Sequence, residues 1–152
     1  MVLFPIIAIP DYELLVEIYQ LIEEGNNTTD RLVQKSSADR RLIYGAVSIL
    51  SFLGLIEKKR VGRRNIYRTL VEGGDLRKYV LDNDFCRSIL KFVFNGTYSR
   101  SQIARYFTNN PSRKFLNSIS SAASFLRKIG FLDQRFARRY RLTEEGELRV
   151  FR

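Results

Sequence analysis

One stretch of this chain occurs twice. Tyr67-Arg68-Thr69-Leu70-Val71-Glu72-Gly73-Gly74-Asp75-Leu76-Arg77 returns as Tyr140-Arg141-Leu142-Thr143-Glu144-Glu145-Gly146-Glu147-Leu148-Arg149, one glycine shorter. Upstream, Ser48-Ile49-Leu50-Ser51-Phe52-Leu53-Gly54-Leu55-Ile56-Glu57 aligns without a gap on Ser124-Phe125-Leu126-Arg127-Lys128-Ile129-Gly130-Phe131-Leu132-Asp133. The offset is 76 at the first block (Ser48 to Ser124) and 73 at the second (Tyr67 to Tyr140), so the basic loop between the blocks is three residues shorter in the second copy. Self-similarity at one period marks repeated structural units. Each unit here has the size of a small domain, which predicts two tandem copies of one fold. The expected division is an apolar arm over 1–10, one domain over 11–72, a helical connection over 73–83 and a second domain over 84–152.

Charge separates the copies. Of a net charge of +10, Met1–Asp82 carries 12 basic and 11 acidic residues, a balance of +1, and Asn83–Arg152 carries 14 and 5, a balance of +9. Such an excess points to an anionic partner. Arginine outnumbers lysine 19 to 7, and its planar fork suits phosphates and guanine edges. The single cysteine, Cys86, forms no internal disulfide and suits a reducing cytosol. The longest apolar run, Val2–Ile9, is broken by Pro5 and closed by Pro10. It is too short for a bilayer and lacks the basic leader and cleavage site of a signal peptide, so the expected location is cytoplasmic, with no membrane partner.

Each copy reads as three helices and a hairpin, a mainly α chain with small β elements. In the first copy helical periodicity covers Tyr12–Glu24 behind Asp11, a short helix follows Thr28 or Thr29 to about Gln34, and a third runs from about Asp39 to Leu53 and stops at Gly54. Leu55–Lys59 and Asn65–Thr69 alternate as strands around a basic tip, Val61–Arg64. In the second copy Asp82 or Asn83 caps a helix to about Phe94, ended by Asn95-Gly96. Another helix starts at Ser99, and Asn110-Pro111 predicts the start of the third, with Pro at its first position. The strands are Phe131–Asp133 and Arg139–Leu142, with Phe136-Ala137-Arg138 as the tip. Leu70–Asn83 is expected to be a helical, fairly rigid join. The arm Val2–Ile9 is expected to bury itself on the first copy or in a dimer contact.

Tyr140-Arg141-Leu142-Thr143-Glu144-Glu145-Gly146 resembles the "Tyr-x-Leu-Thr-x-x-Gly" exit from the hairpin of small prokaryotic winged-helix regulators of the MarR and PadR kind. Ile129-Gly130-Phe131-Leu132-Asp133 resembles their helix-Gly-hydrophobic-hydrophobic-acidic corner. The first copy departs from the pattern, with Thr69-Leu70-Val71 in place of Leu-Thr-Glu. The resemblance implies two winged-helix (winged helix-turn-helix) domains and double-stranded DNA binding by a transcription regulator. It also implies that the third helix of each copy enters the major groove and that the basic wings lie on the backbone. The residues it nominates are Arg40, Arg41 and Tyr44 on the first third helix and Arg60, Arg63 and Arg64 in the first wing. In the second copy they are Ser112, Arg113, Lys114, Asn117, Ser120 and Ser121, with Arg135, Arg138 and Arg139 in the wing. Ser37 and Ser124 are expected to face outward beside them. Arg113 suits a guanine and Asn117 an adenine, and wing arginines need only charge to hold phosphate.

Other chemistries fare worse. The absence of histidine removes histidine triads and zinc sites of the usual nitrogen and sulfur ligands. No phosphate loop ending Gly-Lys-Ser/Thr occurs, so neither cofactor nor enzyme activity is expected. Glu57-Lys58-Lys59 matches the acid-x-lysine half of metal-dependent nuclease sites, with Asp39 the nearest upstream acid, but a charged edge strand explains it better. The stronger rival is a tandem winged-helix module that binds proteins in a transcription or chromosome-organisation complex. The near-neutral first copy and the apolar arm suit a homodimer or a protein partner.

Overall fold

The structure is a computed structural model, and it describes residues 2–94, 96–135 and 139–150. The chain is α+β and divides into two compact units, Ile7–Tyr79 and Met1–Ile6 together with Val80–Arg152. Among the described residues no helix is long and apolar enough to cross a membrane.

In the unit Ile7–Tyr79, helix α1 spans Tyr12–Glu23, α2 Thr29–Ser36 and α3 Arg40–Phe52. Each starts where a side chain takes an orphan backbone N–H: Asp11 from Leu14, Thr28 from Arg31, Asp39 from Arg41. Their inward stripes, including Leu15, Ile18, Ile22, Leu32, Ile43, Ala46, Ile49 and Leu50, form the core. α3 ends at Gly54, whose φ of +78° only glycine adopts freely. The chain then turns into β1 (Ile56–Val61), which pairs antiparallel with β2 (Arg64–Thr69). Both strands run farther toward the tip than alternation predicts, leaving Gly62-Arg63 as the turn.

The second unit repeats this order. Helix α4 (Arg77–Asp82) lies across the boundary of the units in sequence, followed by α5 (Asp84–Phe92), strand β3 (Tyr98–Ser99), α6 (Arg100–Phe107) and α7 (Arg113–Lys128). Strands β4 (Leu132–Arg135) and β5 (Arg139–Leu142) then lead to α8 (Glu144–Val150). The sheet order is β3-β5-β4.

The repeat holds bond by bond. Leu55 N donates to Leu50 O and Phe131 N to Leu126 O, both at 2.9 Å. Ile56 pairs with Thr69, Glu57 with Arg68, Lys58 with Tyr67 and Lys59 with Ile66. The matching register is Leu132 with Leu142, Asp133 with Arg141, Gln134 with Tyr140 and Arg135 with Arg139. The amide after each hairpin returns to the corner after the third helix: Leu70 N to Leu55 O at 2.9 Å and Thr143 N to Phe131 O at 3.1 Å. A third edge is one bond in the first unit, Tyr67 N to Asn27 O at 2.8 Å, and a two-residue ladder in the second, Tyr98 with Tyr140 and Ser99 with Arg139.

The structure departs further from the sequence reading at Pro111, in the join between the copies, after the second hairpin and in the arm. Pro111 precedes the cap of α7 and is not its first residue, because the Ser112 hydroxyl takes Phe115 N at 3.1 Å and sets the start there. The join over 70–83 is helical only from Arg77, since Gly73-Gly74 disfavours helix and Asp75 accepts from Arg77 N at 3.1 Å. Helix α8 was not expected. The arm does not lie on the first copy alone: Met1–Ile6 groups with the second unit. There Phe4 is buried and stacks on Phe125 at 5.5 Å between ring centroids. Residues 7–10 pack within the first unit, where the Ala8 carbonyl lies so close to Gly45 that an added Cβ would come within 1.9 Å of it. Asn95 and the tip Phe136-Ala137-Arg138 lie outside the described residues, as does the Arg135 side chain.

Candidate nucleic-acid interface

In the first unit, the caps that begin α2 and α3 and the twist of the β1–β2 hairpin bring three segments to one concave surface. Thr28, Thr29 and Asp30 open α2, Arg40 and Tyr44 lie on the first turns of α3, Arg63 closes the hairpin turn, and Arg64 and Asn65 begin β2. Together they line a cavity of about 120 Å³. Arg40, Tyr44, Arg63 and Arg64 line it and are exposed; Arg41 and Arg60, outside its lining, are exposed too. The Arg40 Nη2 donates to Asp30 Oδ1 at 2.6 Å. This guanidinium holds the Asp30 carboxyl below the usual carboxylate range, with a smaller contribution from Arg64, and the carboxylate in turn raises Arg40. Arg60 folds back onto the tip, its Nε 3.3 Å from Gly62 O. Ser37 is exposed and left-handed, with φ +58°.

The outward face of the hairpin carries the acid-x-lysine motif. Glu57 Oε2 is 2.5 Å from Arg68 Nε on the facing strand, so an arginine occupies the carboxylate that a metal would need. Asp39 is committed to capping α3 through Arg41 N at 2.7 Å. The same cross-strand pair recurs more loosely in the second unit, with Arg141 Nε 3.9 Å from Asp133 Oδ2.

In the second unit α7 has 16 residues against 13 in α3. On the repeat alignment it begins three residues earlier, so Arg113 stands where the first copy has Ser37. Arg113, Lys114 and Asn117 are exposed on its first turns, and Ser112 is exposed with its hydroxyl engaged as the cap. Ser120 is half-buried and accepts from Arg100 Nη1 at 3.1 Å, while Ser124 is half-buried. Arg113, Asn117, Ser120, Ser124 and Arg127 recur three and four residues apart, a single helical stripe. Arg139 is exposed at the start of β5.

Ser121 departs from the expectation. It is buried, and its hydroxyl donates to the Pro5 carbonyl at 2.6 Å. The neighbouring Ser118 is fully buried and donates to the Phe4 carbonyl at 2.9 Å. The arm thus takes one edge of α7, and the small serines make room for this N-terminal segment of the same chain. The sequence reading missed Asp30 and Arg100 as neighbours of the nominated residues. A capped helix start placed ten residues before Arg40 was the available signal for Asp30.

No protein-family model matches this sequence, and a comparison with curated proteins found no match.

Proposed function

We propose that the chain binds double-stranded DNA through two winged-helix units and acts as a transcription regulator. In this reading α3 and α7 lie in the major groove and the two basic hairpins lie on the backbone. One observation carries the proposal: the outward residues of α3 and of the hairpin, separated in sequence by 19 positions (Tyr44 to Arg63) or more, border one surface in the first unit, and those residues are mostly arginine. The second unit offers the longer polar stripe on α7, exposed at Arg113, Asn117 and Arg127, and the larger positive excess.

Duplex binding measured by fluorescence anisotropy over a salt series tests the reading. Contact with roughly 4–8 phosphates gives a slope of log K on log salt of about −4 to −7. A flat slope, or no binding at low salt, overturns it. Alanine at Arg135, Arg138 and Arg139 should weaken binding to all sequences alike, because phosphate contacts position without specifying. This loss should exceed that from alanine at Arg60, Arg63 and Arg64.

A protein-binding role is favoured by a different surface. Tyr106 is 55% exposed and stacks on Phe92, 4.8 Å between centroids, which in turn meets Tyr98 at 4.7 Å. Light scattering alongside the duplex titration separates this reading from the first.

A further inference from the structure

We infer that the cavity between α2, α3 and the β1–β2 hairpin is a phosphate subsite in which the Asp30 carboxylate stands in for the ligand, so that a phosphate group binds Arg40 by displacing Asp30. The DNA-binding reading matters to this inference only for the source of the phosphate.

Three guanidinium groups, Arg40, Arg63 and Arg64, line the cavity against one carboxylate, Asp30. Among the described residues no ion pair uses Arg63 or Arg64, while Arg40 is held by Asp30 at 2.6 Å. A carboxylate and a phosphate present similar oxygens to an arginine fork, and arginine binds both in the same in-plane manner. The pair is open to solvent, with 51% of the Arg40 side chain and 72% of the Asp30 side chain exposed. An exposed ion pair of this kind is weakly held, so a phosphate that gains two further arginines displaces the carboxylate readily.

The surroundings favour an anion over a cation. The cavity opens on the first turn of the eight-residue helix α2, where the peptide dipoles present their positive end. The two threonines there are already engaged: Thr28 takes Arg31 N at 3.3 Å, and Thr29 shares a 2.9 Å bond with the Tyr67 hydroxyl. The direct partners left for a phosphate are the three arginines and the Asn65 amide, with the Tyr44 hydroxyl already leaning on Arg40.

The device belongs to the first unit. Aligning the caps Thr28 and Ser99 puts Ser101 at the place of Asp30, and the third-helix alignment puts Leu116 at the place of Arg40. The second unit therefore has neither half of the pair. A site masked by a carboxylate in the near-neutral copy and an α7 stripe whose Arg127 and Ser120 meet neutral or basic partners, Gln134 and Arg100, in the basic copy give the two units different thresholds for the same anion.

Two sources share this chemistry, a phosphodiester of the DNA backbone and a free phosphate monoester such as a nucleotide. The test uses the full chain and the variants Asp30→Asn, Arg40→Ala and both together, each first checked for an unchanged melting temperature. Inorganic phosphate and, separately, a mixed-sequence 20-base-pair duplex are titrated while the amides of residues 28–30, 40 and 62–65 are followed by NMR. Phosphate is expected to bind Asp30→Asn roughly three- to tenfold tighter than the parent and Arg40→Ala more weakly. The gain from Asp30→Asn should vanish in the double variant. If the backbone is the source, duplex affinity follows the same order and the salt slope steepens by about 0.9 in Asp30→Asn, as for one added phosphate contact. If phosphate follows the order and the duplex does not, the site takes free phosphate compounds. Phosphate binding with no duplex binding by any form sinks the DNA reading and leaves the site standing. Equal or weaker phosphate binding in Asp30→Asn, or a gain that persists without Arg40, overturns the inference.

Discussion

Ser118, in the middle of α7, donates its hydroxyl to the backbone carbonyl of Phe4 at 2.9 Å, across 114 positions of sequence. Ser121 repeats the contact one turn on, with Pro5. These bonds satisfy carbonyls of an extended segment that has no strand partner, and they place the Phe4 ring against Phe125. Replacing Phe4 by alanine removes a ring that is 1% exposed, a loss of about 3 kcal/mol for a buried phenylalanine. In a unit of this size that lowers the melting temperature by more than about 10 °C. Calorimetry showing no change would mean that the arm is not docked in solution.

Gly45 supplies a test of sign. Alanine is favoured over glycine inside a helix by about 1 kcal/mol, so Gly45→Ala in the middle of α3 would ordinarily stabilise. Here the new Cβ would lie 1.9 Å from the Ala8 carbonyl, which is backbone and cannot step aside cheaply. The expected result is destabilisation by about 1–3 kcal/mol. In a chain lacking residues 1–8 the obstruction is gone, and the same substitution should become stabilising. Urea melts of the four proteins read this directly, and a substitution that stabilises the full-length chain would contradict the packing of Ala8 on α3.

Thr143 explains why a helix follows the hairpin at once in one copy and only after a gap in the other. Its hydroxyl donates to the Gly130 carbonyl at 2.6 Å and accepts from Gly146 N at 3.0 Å, capping α8. The equivalent residue, Leu70, has no hydroxyl, and the chain after it passes through Gly73-Gly74 before turning helical at Arg77. Thr143→Ala should cost about 1 kcal/mol, as for other lost caps. Amide exchange should quicken over 144–150 before it does elsewhere in the unit. Unchanged exchange there would remove Thr143 from this role.

The repeat was legible because it is written in residue types that backbone geometry demands. A glycine ends each third helix with positive φ, a tyrosine sits at the same ladder position of each hairpin, and the offset changes only where one tip is shorter. Helix starts were legible to within a residue or two through Asp11, Thr28, Asn83 and Ser99. Pro111 misled because Ser112, a better cap, followed it. The arm was legible as apolar and not as to its resting place, since a carbonyl accepting from Ser118 leaves no trace in local periodicity. The same serines then looked like an outward polar face. For the candidate interface, the resemblance nominated Arg40, Arg63 and Arg64, which are exposed, while the carboxylate that covers Arg40 comes from another helix and has no sequence pattern of its own.

Cys86 gives a pH dependence whose sign follows from burial alone. Its side chain is fully buried in α5, and desolvation of the thiolate pushes the thiol up to about 12. In the unfolded chain the thiol ionises near the ordinary value of about 8.5. Below that pH both states carry the proton, and the thiol contributes no pH dependence. Above it the unfolded state loses its proton first, so this group's contribution to stability falls as pH rises, by up to ~1.4 kcal/mol per pH unit, until the folded thiol titrates. Stability measured at pH 8, 9 and 10 should therefore decline more steeply for the parent than for Cys86→Ala, and the difference between the two slopes isolates the thiol. The folded protein should also resist a thiol reagent at pH 8 and react at the rate at which α5 opens. Parallel slopes together with immediate labelling would place Cys86 at the surface and contradict the packing of α5.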